Sequence, residues 1–358
     1  MPKYLYNLAT DKEKGFIAGM IKPLLFSLSL IYGILVRVLI FIYGIRPHRL
    51  GCKVVSVGNI TLGGTGKTSL VELIAGYLSE QGHRVAVLSR GYKRKNAFFC
   101  GAGNDDCAVM GDEPCMLKNN LKNVPVLVDT DRVRAANLAI CGYAADTVIL
   151  DDGLQQWRIK KDLEIVVVDA VNPLGNRKLL PRGILRQPVF TLKKADVFIL
   201  TKTDLGPDIK RIKHYLKGIN PLAEVFESVH RAAGFYKLGE GHNMFDAHML
   251  EGRTVTAFSG IGDPDYFENT LSKLGVNIGL SFKFPDHHNY SQKDLSRIIA
   301  ESAGKNIGAI VTTQKDAARL NARDLYTRGI PIFVLRVKLA IIKDEERFYC
   351  RLRKLYSL

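Results

Sequence analysis

The sequence predicts an α/β protein: a mostly parallel sheet with helices on both faces, a second, smaller α/β domain, and an apolar helix in front of both. Three observations predict it. From residue 52 onward, short continuous apolar runs alternate with helical stretches, as in strands buried on both faces of a parallel sheet. After about residue 225 the texture changes. Residues 23–45, PLLFSLSLIYGILVRVLIFIYGI, are the most hydrophobic part of the chain. The expected organisation is therefore 1–50 as an N-terminal helical segment, 51–225 as the core domain and 226–358 as the smaller domain.

The apolar segment is interrupted by Arg37. Taken whole, it is just long enough to cross about 30 Å of hydrocarbon if Arg37 snorkels or pairs. The alternative is a helix lying in the membrane interface, flanked by Lys12, Lys14, Lys22, Arg46 and Arg49. Basic residues on both sides leave the orientation open. Either way the segment is expected to be membrane-associated, because an all-round apolar helix needs lipid or a large core.

CKVVSVGN (52–59) reads as a buried strand that runs straight into a glycine loop. Leu70, Val71, Leu73, Ile74, Tyr77 and Leu78 then recur at helical spacing, and Gly82 supplies a stop. RVAVLS (84–89), VPVLVD (124–129), DTVILD (146–151), LEIVVVD (163–169) and ADVFILT (195–201) continue the strands, with a helical stretch between 129 and 146. In the later part, GRTVTAFSGIGDPDYFENTLSKLG reads as strand, turn and helix, and IGAIVTT and IPIFVLRV as strands. Ligands of such sheets gather at the carboxyl ends of the strands. The glycine loop, Asp129, Asp151, Asp152 and Asp169 all fall there.

The loop itself is VGNITLGGTGKTSL (57–70), which ends as a phosphate-binding loop does but has Thr61 where the usual pattern has glycine. Its setting, after a buried strand and before an amphipathic helix, makes it a nucleotide site and the fold a P-loop NTPase type. Gly63, Gly64 and Gly66 let backbone N–H groups turn onto phosphate oxygens, with Thr65 and Ser69 in the same cradle. Lys67 is placed for the β- and γ-phosphates of ATP and Thr68 for Mg²⁺. Asp151 and Asp152 of DDGLQ are the carboxylates expected to hold that Mg²⁺. In PRGILRQP (181–188), Arg182 and Arg186 suit a phosphate clamp. MGDEP (110–114) puts Asp112 and Glu113 in a loop closed by Pro114, where an aspartate can take a proton from a hydroxyl. TKTD (201–204) echoes the guanine-reading N-K-x-D pattern, but Thr201 replaces its asparagine, which argues against guanine.

A formal charge of +16 calls for anionic partners. No helicase-like, zinc or aromatic-basic motif accompanies it, so nucleic acid is not expected as a partner. The six cysteines contain no C-x-x-C pair and read as reduced thiols.

SVGNITLGGTGKT, LSRGYKR, GDEP, DDGLQ, LLPRGILRQP, TKTD, FPDHHNY and TTQKDAARL, together with the apolar N-terminus, run in order over about residues 20–320. In this the chain closely resembles the tetraacyldisaccharide 4′-kinase family, the lipid A 4′-kinases. The form V-G-N-x-x-x-G-G-x-G-K-T looks like that family's own phosphate loop, so Thr61 is no defect in that setting. The resemblance implies ATP- and Mg²⁺-dependent phosphorylation of the 4′-hydroxyl of an acylated glucosamine disaccharide 1-phosphate, the lipid A precursor. It implies work at the cytoplasmic face of the bacterial inner membrane, on anionic lipid, with no obligate protein partner evident. It makes Lys67 and Thr68 nucleotide and magnesium residues, Asp151 and Asp152 acids near magnesium, and Asp112 the catalytic base. His287 of DHHNY, or else His288, assists that base. Arg132, Arg186 and Asn59 are implied at the substrate and its phosphates. Gln187 stands where the family often has an acid, and a leucine in DDGLQ stands where phenylalanine is common. The rival reading is a membrane-associated P-loop switch ATPase of the partitioning or site-placement type. Asn59, Ile60, Thr61 and Leu62 lack the early lysine of those proteins.

Overall fold

The computed structural model describes residues 3–90, 110–240, 243–320 and 329–357. Residues 91–94 of LSRGYKR, and Cys100 and Cys107, lie outside the described residues. Helices α1 (Lys3–Ala9) and α2 (Phe16–Ile45) precede β1 (Lys53–Gly58), α3 (Lys67–Glu80) and β2 (Val85–Ser89). Then come α4 (Asp112–Asn120), β3 (Val126–Val128), α5 (Arg132–Tyr143), β4 (Thr147–Asp151) and β5 (Leu163–Asp169). β6 (Val197–Thr201), α6 (Ile209–Ile219) and β7 (Glu224–Lys237) follow. The chain continues with β8 (Thr254–Ser259), α7 (Pro264–Lys273), β9 (Asn277–Lys283), α8 (Gln292–Gly304) and β10 (Ile310–Thr313). It closes with α9 (Gln314–Ala317), β11 (Ile332–Ile341) and α10 (Glu345–Arg353).

These elements form two compact units. The first takes in the chain up to Arg90, residues 123–229 and the stretch from Ala340 onward. The second takes in residues 110–122 and His230–Leu339, as far as they are described.

In the first unit the strand order is β3-β2-β4-β1-β5-β6-β7, and neighbouring strands pair in parallel throughout. Every residue of β2, β4 and β6 is buried, which requires cover on both faces and explains why these strands read as unbroken apolar runs. Val166, Val168, Phe198 and Leu200 build one side of that core with Leu185 and Leu192. β1 lies between β4 and β5; β5, β6 and β7 follow outward on one side, while β4, β2 and β3 lie on the other. The carboxyl end of β1 is therefore the switch point at which such sheets bind ligands. In the second unit β11, β10, β8 and β9 pair in parallel over a core of Phe235, Val255, Phe267, Leu271, Val311 and Leu335.

Two local elements differ from expectation. α2 begins at Phe16 and runs through Pro23, whereas a proline is more at home in the first turn of a helix. It buries only the stripe Ser29, Gly33, Val36 and Ile40, besides Ala18. Ser29 Oγ donates to the Leu179 carbonyl (2.8 Å) and accepts from the Arg182 N–H (2.9 Å), and Tyr32 Oη donates to the Arg186 carbonyl (2.6 Å). Phe16, Leu24, Ile31, Ile34, Leu35 and Phe41 are exposed. α2 is the one helix among the described residues long and apolar enough to cross a membrane. Asp112 and Glu113 open α4 instead of lying in a loop. Pro114 is tolerated there because a first-turn residue has no intrahelical partner for the N–H that proline lacks, and acidic residues suit that helix end. The cysteine expectation also changes: Cys52, Cys141 and Cys350 are free, but Cys115 is disulfide-bonded.

Gly58, the last residue of β1, has no room for a side chain. A Cβ there would lie 2.4 Å from Leu154 Cβ and 2.5 Å from Leu154 N. Gly76, inside α3, would meet nothing within 4 Å. Thermal denaturation is expected to show Gly58→Ala destabilised by about 1–3 kcal/mol and Gly76→Ala stabilised by about 0.5–1 kcal/mol. Equal melting temperatures for the two variants would contradict this packing.

Candidate active site

The glycine loop of the first unit is tied to the proline–arginine loop like two short strands. Leu62 N–H donates to the Ile184 carbonyl (2.8 Å) and Arg186 N–H to the Ile60 carbonyl (2.7 Å), and Thr61 forms an antiparallel bridge with Leu185. Thr61 is buried, and a β-branched residue suits that extended pairing. Glycine is needed further on, at Gly63 (φ 114°) and at Gly66 (φ 84°), the residue that caps α3.

Asn59 is fully buried and braces the loop from within. Its Nδ2 donates to Thr65 Oγ1 (3.0 Å), and its Oδ1 accepts from Lys67 Nζ (3.1 Å) and from the Arg186 guanidinium. Thr201 Oγ1 donates to the Thr65 carbonyl (3.0 Å), so the residue that spoils the guanine motif supports the phosphate loop. Its neighbour Lys202 pairs with Asp169 (2.7 Å) across the ends of β6 and β5. Thr68 is buried, while Gly63, Gly64 and Ser69 are less so.

Asp151 and Asp152 end β4 but face different surroundings. Asp151 is buried and accepts from Ser89 Oγ (3.2 Å). Asp152 has left-handed backbone (φ 57°), and its two carboxylate oxygens take NH1 and NH2 of Arg186 (2.7 and 2.8 Å). Lys67 Nζ lies 3.6 Å from the same carboxylate. Burial works to raise the pKa of Asp152, but the Arg186 fork and the Lys67 charge hold it well below the usual carboxylate range. Arg186 also donates to the Asn59 carbonyl (2.8 Å).

Arg132 is buried at the start of α5 and donates to the Asp129 carbonyl. Burial pulls its guanidinium down to about 10, against Asp151, Asp152 and Asp129, which favour the charged form. With Thr130, Asp131, Gln156 and Arg158 it lines a cavity of about 180 Å³. Arg182 does not join Arg186; it pairs with Asp11 (2.6 Å) behind α1. Gln187 is buried and accepts from the Trp157 indole N–H (3.2 Å).

The second unit holds the other sequence-predicted residues. His287 Nδ1 lies 3.1 Å from Asp112 Oδ2, the oxygen that also takes Arg319 Nε (2.6 Å). Burial raises the pKa of Asp112, but the His287 hydrogen bond and the Arg319 charge outweigh it, and the carboxyl sits below its ordinary value. His287 has left-handed backbone (φ 59°), and its N–H donates to the Gly260 carbonyl (3.0 Å). His288 is engaged elsewhere, 3.2 Å from Asp294 and stacked on Phe284, so His287 is the one that meets Asp112. Lys315 pairs with Glu113 (2.5 Å). Lys315, Asp316 and Arg319 belong to TTQKDAARL, a segment that carries no role for them in the sequence. Their only signal was Lys315 and Arg319 one helical turn apart, matching the adjacent acids of GDEP.

The sequence profile of the LpxK family, tetraacyldisaccharide-1-P 4'-kinase, matches residues 21–357. A tetraacyldisaccharide 4'-kinase of Halothermothrix orenii is 32% identical over 95% of this chain and 94% of its own length. One from Syntrophobacter fumaroxidans is 39% identical over 85% of this chain and 80% of its own. The crystal structure of LpxK from Aquifex aeolicus in complex with ATP superposes with a TM-score of 0.76 at 27% identity, covering 94% of this chain and 99% of that one. The chain belongs to the LpxK family of tetraacyldisaccharide-1-P 4'-kinases.

Proposed function

We infer that this chain transfers the γ-phosphate of ATP to the 4′-hydroxyl of a tetraacylated glucosamine disaccharide 1-phosphate, a step of lipid A biosynthesis. The observation that carries the reading is the family match over residues 21–357, which supplies an acceptor to a loop whose own geometry specifies only a nucleotide. The switch-ATPase reading is not favoured by any relative reported above.

Gly63, Gly64, Thr65, Gly66 and Ser69 cradle the phosphates with backbone N–H groups, and Lys67 neutralises the β- and γ-oxygens. Arg186 and Arg132 add positive charge where the phosphates of nucleotide or acceptor lie. Mg²⁺ fits the donor set: Thr68 hydroxyl and the Asp152 and Asp151 carboxylates would hold it, with phosphate oxygens and water completing the shell. When bound, the ion neutralises charge on the transferring phosphate. No cluster of three or more His, Cys, Asp or Glu side chains suited to a metal occurs among the described residues. Asp112 takes the proton of the 4′-hydroxyl, whose oxygen bonds to the γ-phosphorus as the bond to the β-phosphate oxygen breaks and ADP leaves. His287 orients Asp112.

The lipid acceptor gives the exposed apolar face of α2 a purpose, and the net charge of +16 suits anionic lipid. Because the stripe around Ser29, Tyr32 and Gly33 is occupied by residues 179–186, lipid cannot surround the middle of α2. We place the helix along the cytoplasmic surface of the inner membrane, sunk on its other sides.

With radiolabelled ATP and the tetraacyl disaccharide 1-phosphate, wild type is expected to label the lipid and Asp112→Ala to fall by about 10²–10⁴-fold. No transfer by wild type sinks the kinase reading; near-normal transfer by the variant sinks only the base. In flotation with anionic liposomes, Ile31→Asp with Phe41→Asp is expected to leave most of the protein unbound, and undiminished flotation would remove α2 from the interface.

A further inference from the structure

Besides His287, the proposed base has a second hydrogen-bond partner, Arg319, which none of the sequence motifs singles out. Arg319 is almost wholly buried, 3% exposed at its side chain, although it carries a full charge. A buried guanidinium persists only where its donors are used. Nε donates to Asp112 Oδ2 (2.6 Å), and NH1 donates to the Gly260 carbonyl (2.8 Å) and to Asp316 Oδ1 (3.2 Å). NH2 lies 3.3 Å from His287 Nδ1.

Each end of this fork is fixed. Asp316 is fully buried and receives the Gly260 N–H (3.0 Å), Tyr290 Oη (2.8 Å) and Thr313 Oγ1 (2.6 Å). It anchors the guanidinium in one orientation. At the other end Asp112 meets a second constraint. A guanidinium only donates and a carboxylate only accepts, so the two contacts of His287 Nδ1 cannot both be hydrogen bonds. The shorter one, 3.1 Å to Asp112 Oδ2, puts the proton on Nδ1, and the Arg319 NH2 contact is then a donor beside a donor. His287 and Arg319 thus both donate to Oδ2. Among the described residues nothing donates to Oδ1, which is left to accept from an incoming hydroxyl.

We propose that Arg319 is a positioning residue for the phosphoryl transfer: anchored by Asp316, it holds the Asp112 carboxylate ionised, with Oδ1 open to the acceptor hydroxyl. This rests on the reading of Asp112 as the base. Lysine offers a point charge without the fork, so the two functions of Arg319, charge and orientation, are separable by substitution.

The test compares wild type, Arg319→Met, Arg319→Lys and Asp112→Asn, with melting temperature as a check on folding. The readout is kcat/KM at pH 5.5 relative to pH 8, with KM for ATP measured beside it. An adjacent cation lowers a carboxyl pKa by about 1–3 units, and its removal raises the pKa of Asp112 by a like amount. The Arg319→Met ratio is therefore expected to fall below that of wild type, by as much as about 10-fold at the top of that range. Arg319→Lys is expected to keep the wild-type ratio with kcat down about 10-fold, and KM for ATP within about twofold in both variants. A wild-type ratio in a folded Arg319→Met overturns the inference. Should that variant not fold, Arg319→Lys decides: wild-type kcat in it overturns the positioning role. Near-normal activity in Asp112→Asn would instead overturn the reading of the base. Loss in Asp112→Asn with unshifted Arg319 variants overturns the Arg319 inference alone.

Discussion

The fork of Arg186 holds the phosphate loop of the first unit in register with the acids at the end of β4. One guanidinium grips both oxygens of Asp152 and also reaches the backbone and side chain of Asn59. Asn59 in turn supports Lys67 and Thr65. Removing the fork would leave the Asp152 carboxylate with Lys67 alone and Asn59 without one of its donors. Such bidentate, charge-assisted contacts are stronger and more directional than neutral ones. They fix the loop before a nucleotide arrives, which lowers the cost of ordering it on binding.

The second unit repeats that logic around a different carboxylate. Asp112 is held by a guanidinium that is itself held by Asp316. Burial raises the pKa of Asp316, whose three hydrogen-bond donors and Arg319 work against that rise. Asp112, half-open to solvent, is instead driven down. The two acids share a cation yet shift in opposite directions, because one is sealed from water and the other is not. A carboxylate kept ionised and oriented suits the base role proposed for Asp112, in a reaction in which positioning and electrostatics do most of the catalysis.

Much of this was legible because parallel strands buried on both faces leave an unbroken apolar signature, and β1, β2, β4, β5 and β6 stand where their runs stand. The glycine loop was legible from its place between strand and helix. What the sequence could not reveal depended on distance along the chain. Arg182 and Arg186 looked alike four residues apart, but only the second meets the loop, because the first is claimed by Asp11. Arg319 lies 207 residues from Asp112, and no local pattern encodes that pairing. Thr61 and Thr201 looked like defects in two motifs; Thr61 pairs the glycine loop with Leu185, and Thr201 donates to that loop at the Thr65 carbonyl.

The central claim is that the Arg186 fork preorganises the phosphate site. Calorimetric titration of ATP with Mg²⁺ into wild type, Arg186→Lys and Arg186→Met tests it most directly. Kd is expected to be about 10- to 100-fold weaker in Arg186→Met, about 1.4–2.8 kcal/mol, with only part of the loss restored by lysine and melting temperatures within a few degrees. An unchanged Kd in a folded Arg186→Met would contradict it.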